Sequence, residues 1–259
     1  MCLIIVSHRT HPRYELVVAA NRDEFYCRPT QAAAFWSDAP TILAGRDLQS
    51  RGTWMGMTRE GRFAAVTNFR EPQSPRPDAP SRGLLVRDFL LCAQPATEYL
   101  KEVRGRTTGY AGFCLVARDR LGLAYCSNRS GSPVALGDGI YAVSNGFLDD
   151  PWPKVVRGKE AVRRTLDRFS EPGEIAESLF STLAERDIPP DRLLPDTGVG
   201  LERERVLAPI FVTTKLYGTR SSSVVIVERD GMVWFEERSF SDGGFPIGRA
   251  EFSFRIEDA

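Results

Sequence analysis

The chain has 259 residues, of which 42% are hydrophobic and 26% are charged, and this composition is typical of a globular protein with a sizeable core. Its 34 basic residues balance 34 acidic ones, which argues against a nucleic-acid-binding protein because such proteins carry a basic excess. The five cysteines include no Cys-x-x-Cys pair, so a disulfide framework and a zinc site are disfavoured and a cytoplasmic location is expected. The opening apolar run CLIIV is too short for a signal peptide or a membrane span.

The first half of the chain reads as strands followed by helices. CLIIVSH and YELVVAAN predict an opening hairpin, and TWMGMTREGRFAAVTNF predicts a second one that turns near Glu60-Gly61. The proline-rich stretch REPQSPRPDAPSRG predicts a surface loop. Two helices are then expected, SRGLLVRDFLLCA with Ser81 as its N-cap and PATEYLKEVRG.

The second half repeats this order. YAGFCLVARDRLGLAYCSN predicts two strands around an Asp119-Arg120 turn, IYAVSN predicts a further strand, and PWPKVVRGKEAVRRTLDRF and EPGEIAESLFSTLAER predict two more helices. Residues 187–206 are expected to form a long loop or lid, and GTRSSSVVIVERDGMVWFEERSF a hairpin that closes the chain. This order predicts two sheets with helices outside them, in one domain that spans residues 1–259.

The second residue is a candidate nucleophile. Removal of Met1 would place an α-amine, with a usual pKa of about 7.7–8.0, on the same residue as the Cys2 thiol, whose usual pKa is about 8.5. The amine would then be a base tethered to its own nucleophile. Position alone, however, favours the alternative of a buried strand cysteine.

Polar residues that follow predicted strands are the other candidates. The tetrapeptide NRDE ends the second strand, near the start of the chain, where Arg22 and Asp23 could orient the α-amine and a substrate carbonyl; a solvated turn is the alternative. Asn68 and Asn145 each end a predicted strand, and a side-chain amide that stabilises an oxyanion contributes about 3–4 kcal/mol. Taken alone, each asparagine is equally well explained as a turn residue. Together with Cys2, Arg22 and Asp23, however, the two asparagines form a set of candidate active-site residues.

Two further patterns are weaker. His8 and His11, the only histidines, lie in a predicted turn; a surface turn is favoured over a metal or haem site because no other histidine supports one. YGTRSSS resembles a phosphate-binding cluster but is favoured as an edge strand. No Gly-x-Gly-x-x-Gly or Walker pattern is present.

An ordered set of motifs carries a family resemblance. MCLI, ANRDE, GRFAAVTNFRE, YCSNR, YAVSNGFLDDPWPKVVRGK and LYGTRSSSVVIV together resemble the NRDE family, also called the transport and Golgi organisation protein 2 family, from Cys2 to about Arg238. That family is in turn similar to the cysteine N-terminal nucleophile hydrolases, such as bile-salt hydrolase, penicillin V acylase and acid ceramidase. The resemblance implies an α+β fold: a four-layer αββα sandwich in which two mainly antiparallel sheets lie between helix layers.

The resemblance also implies roles for single residues. Cys2 matches the nucleophile, and Asn68 and Asn145 match the two active-site asparagines. The stretch with Arg22 and Asp23 matches one that holds an Arg and, three residues later, an Asp; here the two are adjacent, so the register differs. Arg220 matches an arginine on a late strand, in a local context that fits weakly.

Three functions are compatible with these residues. The first is an amidohydrolase for a non-peptide C–N bond of an acyl-type small molecule, which requires no cofactor. The second, implied by the family's connection with haem trafficking and lipid homeostasis, is a carrier of haem or acyl-CoA. The third is a glutamine amidotransferase domain, which is disfavoured because Leu3 and Ile4 stand where such chains have Gly-Ile.

Overall fold

The computed structural model describes residues 2–72, 78–106 and 109–257. The strands in these ranges are β1 (Cys2–His8), β2 (Tyr14–Phe25), β3 (Thr30–Trp36), β4 (Ala39–Asp47), β5 (Met55–Thr58), β6 (Phe63–Asn68), β7 (Phe113–Asp119), β8 (Gly122–Ser127), β9 (Val134–Leu136), β10 (Gly139–Val143), β11 (Tyr217–Glu228), β12 (Met232–Phe240) and β13 (Pro246–Arg255). The helices are α1 (Gly83–Leu91), α2 (Ala96–Gly105), α3 (Pro153–Arg168), α4 (Pro172–Leu183) and α5 (Leu201–Leu207).

The strands form two antiparallel sheets. Sheet 1 has six strands in the order β10-β1-β2-β11-β12-β13, and sheet 2 has seven in the order β3-β4-β5-β6-β7-β8-β9. Strands β1 and β2 therefore lie inside sheet 1, where both faces are covered, and this explains why CLIIV is apolar without alternation.

Three apolar clusters define four layers. One cluster lies between the sheets and includes Ile4 and Val6 of β1. A second packs α1 and α2 against the outer face of sheet 2, and a third packs α3 and α4 against the outer face of sheet 1, where it includes Leu3 and Ile5. The expected αββα sandwich is thereby confirmed, and the alternation along β1 follows the period of two that a strand imposes.

Several predicted elements differ from those observed. Helix α1 begins at Gly83 and its N-cap is Arg82, so the prediction of Ser81 as N-cap was wrong. The segment 187–206 is not all loop, because it contains a short 3-10 helix (Asp191–Leu193) and most of α5. The predicted loop after Asn68 falls partly outside the described residues, which omit 73–77.

Other observed strands were not among the predicted elements. The hairpin of β11 and β12 does not close the chain, because β13 adds a largely exposed edge strand to sheet 1. Strands β3 and β4 pair with register shifts, and β9 has only three residues. His8 is the last residue of β1 rather than part of a turn, and its Nδ1 lies 3.1 Å from the Gly137 carbonyl oxygen.

Candidate functional site

Cys2 opens β1 and lies at the base of a cleft of about 340 Å³. It pairs directly with Arg22 of β2, and by strand alternation it shares the inter-sheet side with Ile4 and Val6. Only 9% of the residue is exposed. Cys2 is thus a largely enclosed residue that lines the cleft.

The NRDE stretch lies at the end of the second strand, as predicted, but it is part of the strand rather than a turn after it. Strand β2 continues to Phe25 because β11 pairs with it along this stretch, placing Thr219 opposite Asp23. Its nearness to the chain start is nevertheless observed, since Arg22 lies opposite Cys2. Alternation sends the Arg22 side chain toward sheet 2 and that of Asp23 to the opposite side of β2.

Arg22 is a buried cation that joins the two sheets. Its guanidinium carbon lies 4.2 Å from the ring centre of Trp54, the residue before β5, and its Nη1 donates to Thr30 Oγ1 at 3.2 Å. Burial lowers the pKa of Arg22, and the Glu24 carboxylate opposes that shift. The side chain stays charged, because an arginine does not lose its proton in proteins. It therefore supplies positive charge beside Cys2.

Asp23 lies directly behind the nucleophile. Its backbone N–H interacts with the Cys2 sulfur, and its Oδ1 accepts the Thr219 hydroxyl at 2.7 Å. Burial raises the pKa of Asp23, whereas the N-terminal ammonium, the Lys154 ammonium and the Thr219 hydroxyl, in that order, act in the opposite direction.

The Cys2 thiol is not activated by its surroundings. Burial raises its pKa, and the Asp23 carboxylate adds to that effect, while Arg22 opposes it. The thiol is consequently protonated at neutral pH, and any attack by the sulfur requires a base.

Asn68 and Asn145 meet at the junction of the two sheets. Asn145 Nδ2 donates to the Asn68 carbonyl oxygen at 2.8 Å, and the Asn145 carbonyl accepts the Arg70 backbone N–H at 2.8 Å. Asn68 lines the cleft, and its side-chain amide makes no hydrogen bond to the described residues. Asn145 is buried and does not line the cleft. The adjacent Ser144 hydroxyl donates to the Cys2 carbonyl oxygen at 2.9 Å.

Arg220 does not reach the cleft. It occupies a bulge of β11, between the pairs of Thr219 and Ser221, and its Nη1 donates to the carbonyls of Phe25, Tyr26 and Arg28 at 2.9–3.2 Å. Its side chain holds the turn between β2 and β3. The structure thus brings Cys2, Arg22, Asp23 and Asn68 to one cavity and leaves Arg220 outside it.

The rim of the cleft is charged. Arg28 Nη2 binds Asp47 Oδ2 at 2.7 Å, so these two charges neutralise each other. Arg82 also lines the cleft. Within the described part of the chain, its side chain makes one hydrogen bond, from Nη1 to the Gly112 carbonyl oxygen at 3.1 Å. The cavity is therefore suited to a ligand with polar or charged groups.

Two buried charged features near the cleft were not predicted from the sequence. Lys154, the second residue of α3, is 3% exposed, and its ammonium lies near Asp23 and Cys2. Arg70 Nη1 binds Glu204 Oε2 of α5 at 2.5 Å, which ties the segment predicted as a lid to the strand end at Asn68. The sequence contained one indication that Lys154 is unusual: it lies in the first turn of a helix, where the positive end of the helix dipole repels a cation.

The described residues offer no metal centre. No cluster of three or more His, Cys, Asp or Glu side chains with the geometry to hold a metal ion occurs among them. The five cysteines are all free thiols. Within the described ranges, no helix combines the length and the apolar character that crossing a membrane requires.

The family model described as Transport and Golgi organisation 2 matches residues 1–242. The chain belongs to this family. Transport and Golgi organization protein 2 homologs from Bos taurus and Homo sapiens are each 35% identical to it over 260 residues. The alignments cover 92% and 93% of this chain and 93% and 94% of the two relatives, respectively. The family resemblance carried by the motifs is thereby confirmed.

A solved structure supports the fold assignment. The Caenorhabditis elegans ortholog of N-acylethanolamine-hydrolyzing acid amidase aligns with a TM-score of 0.52 and 13% identity, over 87% of this chain and 92% of that one. At this identity the similarity bears on the fold alone. Together with the two antiparallel sheets and their outer helices, it confirms the N-terminal nucleophile hydrolase fold for this family member.

Proposed function

We propose that the chain is a cysteine N-terminal nucleophile amidohydrolase that cleaves a non-peptide C–N amide bond of an acyl-type small molecule. The observation that carries the proposal is that Cys2, Asp23 and Asn68 all line one cleft. A nucleophile, an oxyanion donor and a group that orients the base are the parts that acyl transfer needs.

The reaction runs in two steps. After Met1 has been removed, the α-amine of Cys2 accepts the thiol proton while the sulfur attacks the amide carbon. The Asn68 side chain and a backbone N–H stabilise the oxyanion, and the amine passes its proton to the leaving nitrogen as the C–N bond breaks. Water, deprotonated by the same α-amine, then attacks the thioester carbon. The C–S bond breaks, the acid is released, and the amine returns its proton to the Cys2 sulfur.

The electrostatics of the site are consistent with the thiol acting as nucleophile and the α-amine acting as base. Burial raises the pKa of the Cys2 thiol, so a thiolate is not available in advance and a tethered base is required. The usual pKa of an α-amine, about 7.7–8.0, makes it a suitable base near neutral pH. Asp23 follows Arg22, the residue that pairs with Cys2, and its backbone N–H interacts with the Cys2 sulfur, which supports a role for its carboxylate in orienting that amine.

Intact-mass analysis tests this proposal. Folded, natively expressed protein should lack Met1 and should gain one acyl group when it is mixed with an activated acyl amide and quenched. The adduct should map to Cys2 and disappear in C2A, while C27A, which removes an exposed thiol, should react normally. Retention of Met1 on the native protein would rule out the mechanism.

A second candidate is a protein that binds haem or acyl-CoA without turnover. The raised pKa and low exposure of the Cys2 thiol favour it, because reactive cysteines usually have a lowered pKa and open access. Titration of wild type and C2A with haem and with acyl-CoA distinguishes the two functions. Tight binding that C2A retains, with no amide cleavage, supports the carrier; absence of binding to both ligands excludes it.

A further inference from the structure

Lys154 lies over the start of β1. Its helix α3 packs against this strand at Gly158, where an added Cβ would lie 2.5 Å from Ile5 Cδ1. Residues four apart share one face of a helix, so Lys154 lies on the face that contacts β1, one turn nearer the helix start. That turn faces the end of the sheet where Cys2 and Asp23 lie.

The Lys154 ammonium is held at a cost in stability. Within residues 2–72, 78–106 and 109–257, its Nζ is buried and has no hydrogen-bond partner. Its place in the first turn of α3 adds repulsion from the helix dipole. By contrast Lys159, further along the same helix, binds Asp149 Oδ1 at 2.8 Å. A lysine with a purely structural role would have an acceptor of that kind.

Charged and titratable groups face Lys154 from four elements. They are Asp23 on β2, Cys2 on β1, Arg70 after β6 and Glu204 on α5. Arg70 and Glu204 form an ion pair with each other. Of the acidic groups, Asp23 has the largest effect on Lys154. The N-terminal ammonium and, after it, Lys154 lower the pKa of Asp23 against the effect of burial.

We propose that Lys154 is a positioning residue of the Cys2 site, whose buried ammonium keeps the Asp23 carboxylate ionised beside the N-terminal residue. The inference rests on the proposed function, in which Asp23 orients the α-amine of Cys2. A neutral Asp23 would lose its charge-assisted hold on that amine, and acyl transfer would slow although Cys2 and Asn68 stay in place.

The titration of Asp23 tests this inference without any turnover. Carboxyl carbons are labelled with ¹³C in aspartate, the Asp23 signal is assigned with D23N, and its midpoint is measured in wild type, K154M, K154Q and K154R. The midpoint should move to higher pH by about one pH unit in K154M and K154Q, as expected when a nearby opposite charge is lost. It should stay near the wild-type value in K154R.

K159M is the matched control, since it removes a lysine of the same helix that binds Asp149 instead. Its Asp23 midpoint should equal that of wild type. An unchanged midpoint in both K154M and K154Q would overturn the role of Lys154, whatever the enzyme does with amides. A shifted midpoint in a protein that never forms an acyl-enzyme would support the Lys154–Asp23 coupling and reject only the proposed hydrolase function.

Turnover gives the second readout. Amide cleavage in K154M should fall at least tenfold in kcat with little change in KM, and K154R should recover part of the loss. Equal kcat in wild type and K154M across the pH range would also overturn the proposal.

Discussion

The two helix–sheet layers of the sandwich differ in what they bury. Helices α1 and α2 cover sheet 2 with an apolar cluster that includes Phe89 and Leu100. Helices α3 and α4 cover sheet 1 with a similar cluster, but this layer also contains Lys154 and Asn21. Polar residues such as Asp119 and Asn128 are buried at sheet 2 as well, but Lys154, a buried lysine whose Nζ has no hydrogen-bond partner within the described residues, lies in the layer that contacts the strand of Cys2. Because a buried charge without a hydrogen-bond partner reduces stability, packing alone does not explain the lysine at this position.

The largest effect is expected in the apolar layer. Phe89 is fully buried and packs 5.2 Å from the Tyr99 ring, so F89A should lower the free energy of unfolding by about 4 kcal/mol through the cavity it leaves. Urea denaturation measures this loss. F180A in the other layer should lose a comparable amount; a loss below about 1 kcal/mol for F89A would contradict the packing described.

Lys154 should give a change of opposite sign. Burial lowers its pKa to about 8 from a usual 10.5, which corresponds to about 3 kcal/mol of destabilisation while the folded-state ammonium is charged. K154M should therefore be more stable than wild type by about 3 kcal/mol at pH 7. Between pH 8 and 10.5 the unfolded wild type binds one more proton than the folded form, so wild-type stability rises relative to K154M.

Denaturation at pH 7, 9 and 10.5 checks this sign. The difference between the two proteins should shrink steadily over that range, whereas K159M should follow wild type in its pH dependence. Lower stability of K154M at pH 7 would assign Lys154 a structural role.

Asn21 is a useful contrast to Lys154, because its buried polar side chain has hydrogen-bond partners. Its Nδ2 donates to the carbonyls of Leu183 and Ile210 at 2.8 and 2.9 Å, and its Oδ1 accepts the Ser222 hydroxyl at 2.6 Å. N21A leaves these buried partners unsatisfied and should cost about 2 kcal/mol. S222A, which removes one bond of the three, should cost less, and the order of the two urea midpoints checks the assignment.

The smallest effect is expected between the sheets. R22K keeps the charge beside Cys2 but loses the planar stack on Trp54 and the fixed bond to Thr30, so we expect a loss of about 1 kcal/mol. Urea denaturation measures the loss, and R28K, at the rim of the cleft, is the control. A neutral result for R22K would show that the stack contributes nothing to holding the sheets together.

The sequence predicted the elements with strong periodicity. The hairpin of β1 and β2, the pair β7 and β8 and helices α1 to α4 carry apolar patterns that tertiary contacts reinforce. Strand β13 was missed although residues 250–256, AEFSFRI, alternate apolar and polar side chains, and Phe252 and Phe254 pack against the cluster between the sheets. The continuation of β2 through Asp23 was also hidden, since it depends on pairing with β11, almost two hundred residues away.

The candidate site was predicted in part for the same reason. Residues near strand ends of one hairpin, such as Cys2 and Arg22, can be placed together from local pattern alone. The Arg220 side chain binds the turn after β2 because Arg220 lies in a bulge of β11, and the sequence pattern does not predict that bulge. Lys154 approaches Cys2 through the packing of α3 on β1, and a single sequence holds no information on that crossing beyond the small residue at Gly158.

The ion pair of Arg70 and Glu204 has a consequence for how the molecule can be altered. Glu204 also accepts the backbone N–H and the hydroxyl of Thr197, so the whole turn before α5 is bound to a residue only two positions beyond Asn68. If this segment moved away from the sheets, the buried charges of Arg70 and Glu204 would be separated, and each would lose its partner or become exposed to water. Opening of the segment therefore requires breaking the Arg70–Glu204 ion pair near the strand end at Asn68, and hydrogen exchange in α5 measures how often that occurs.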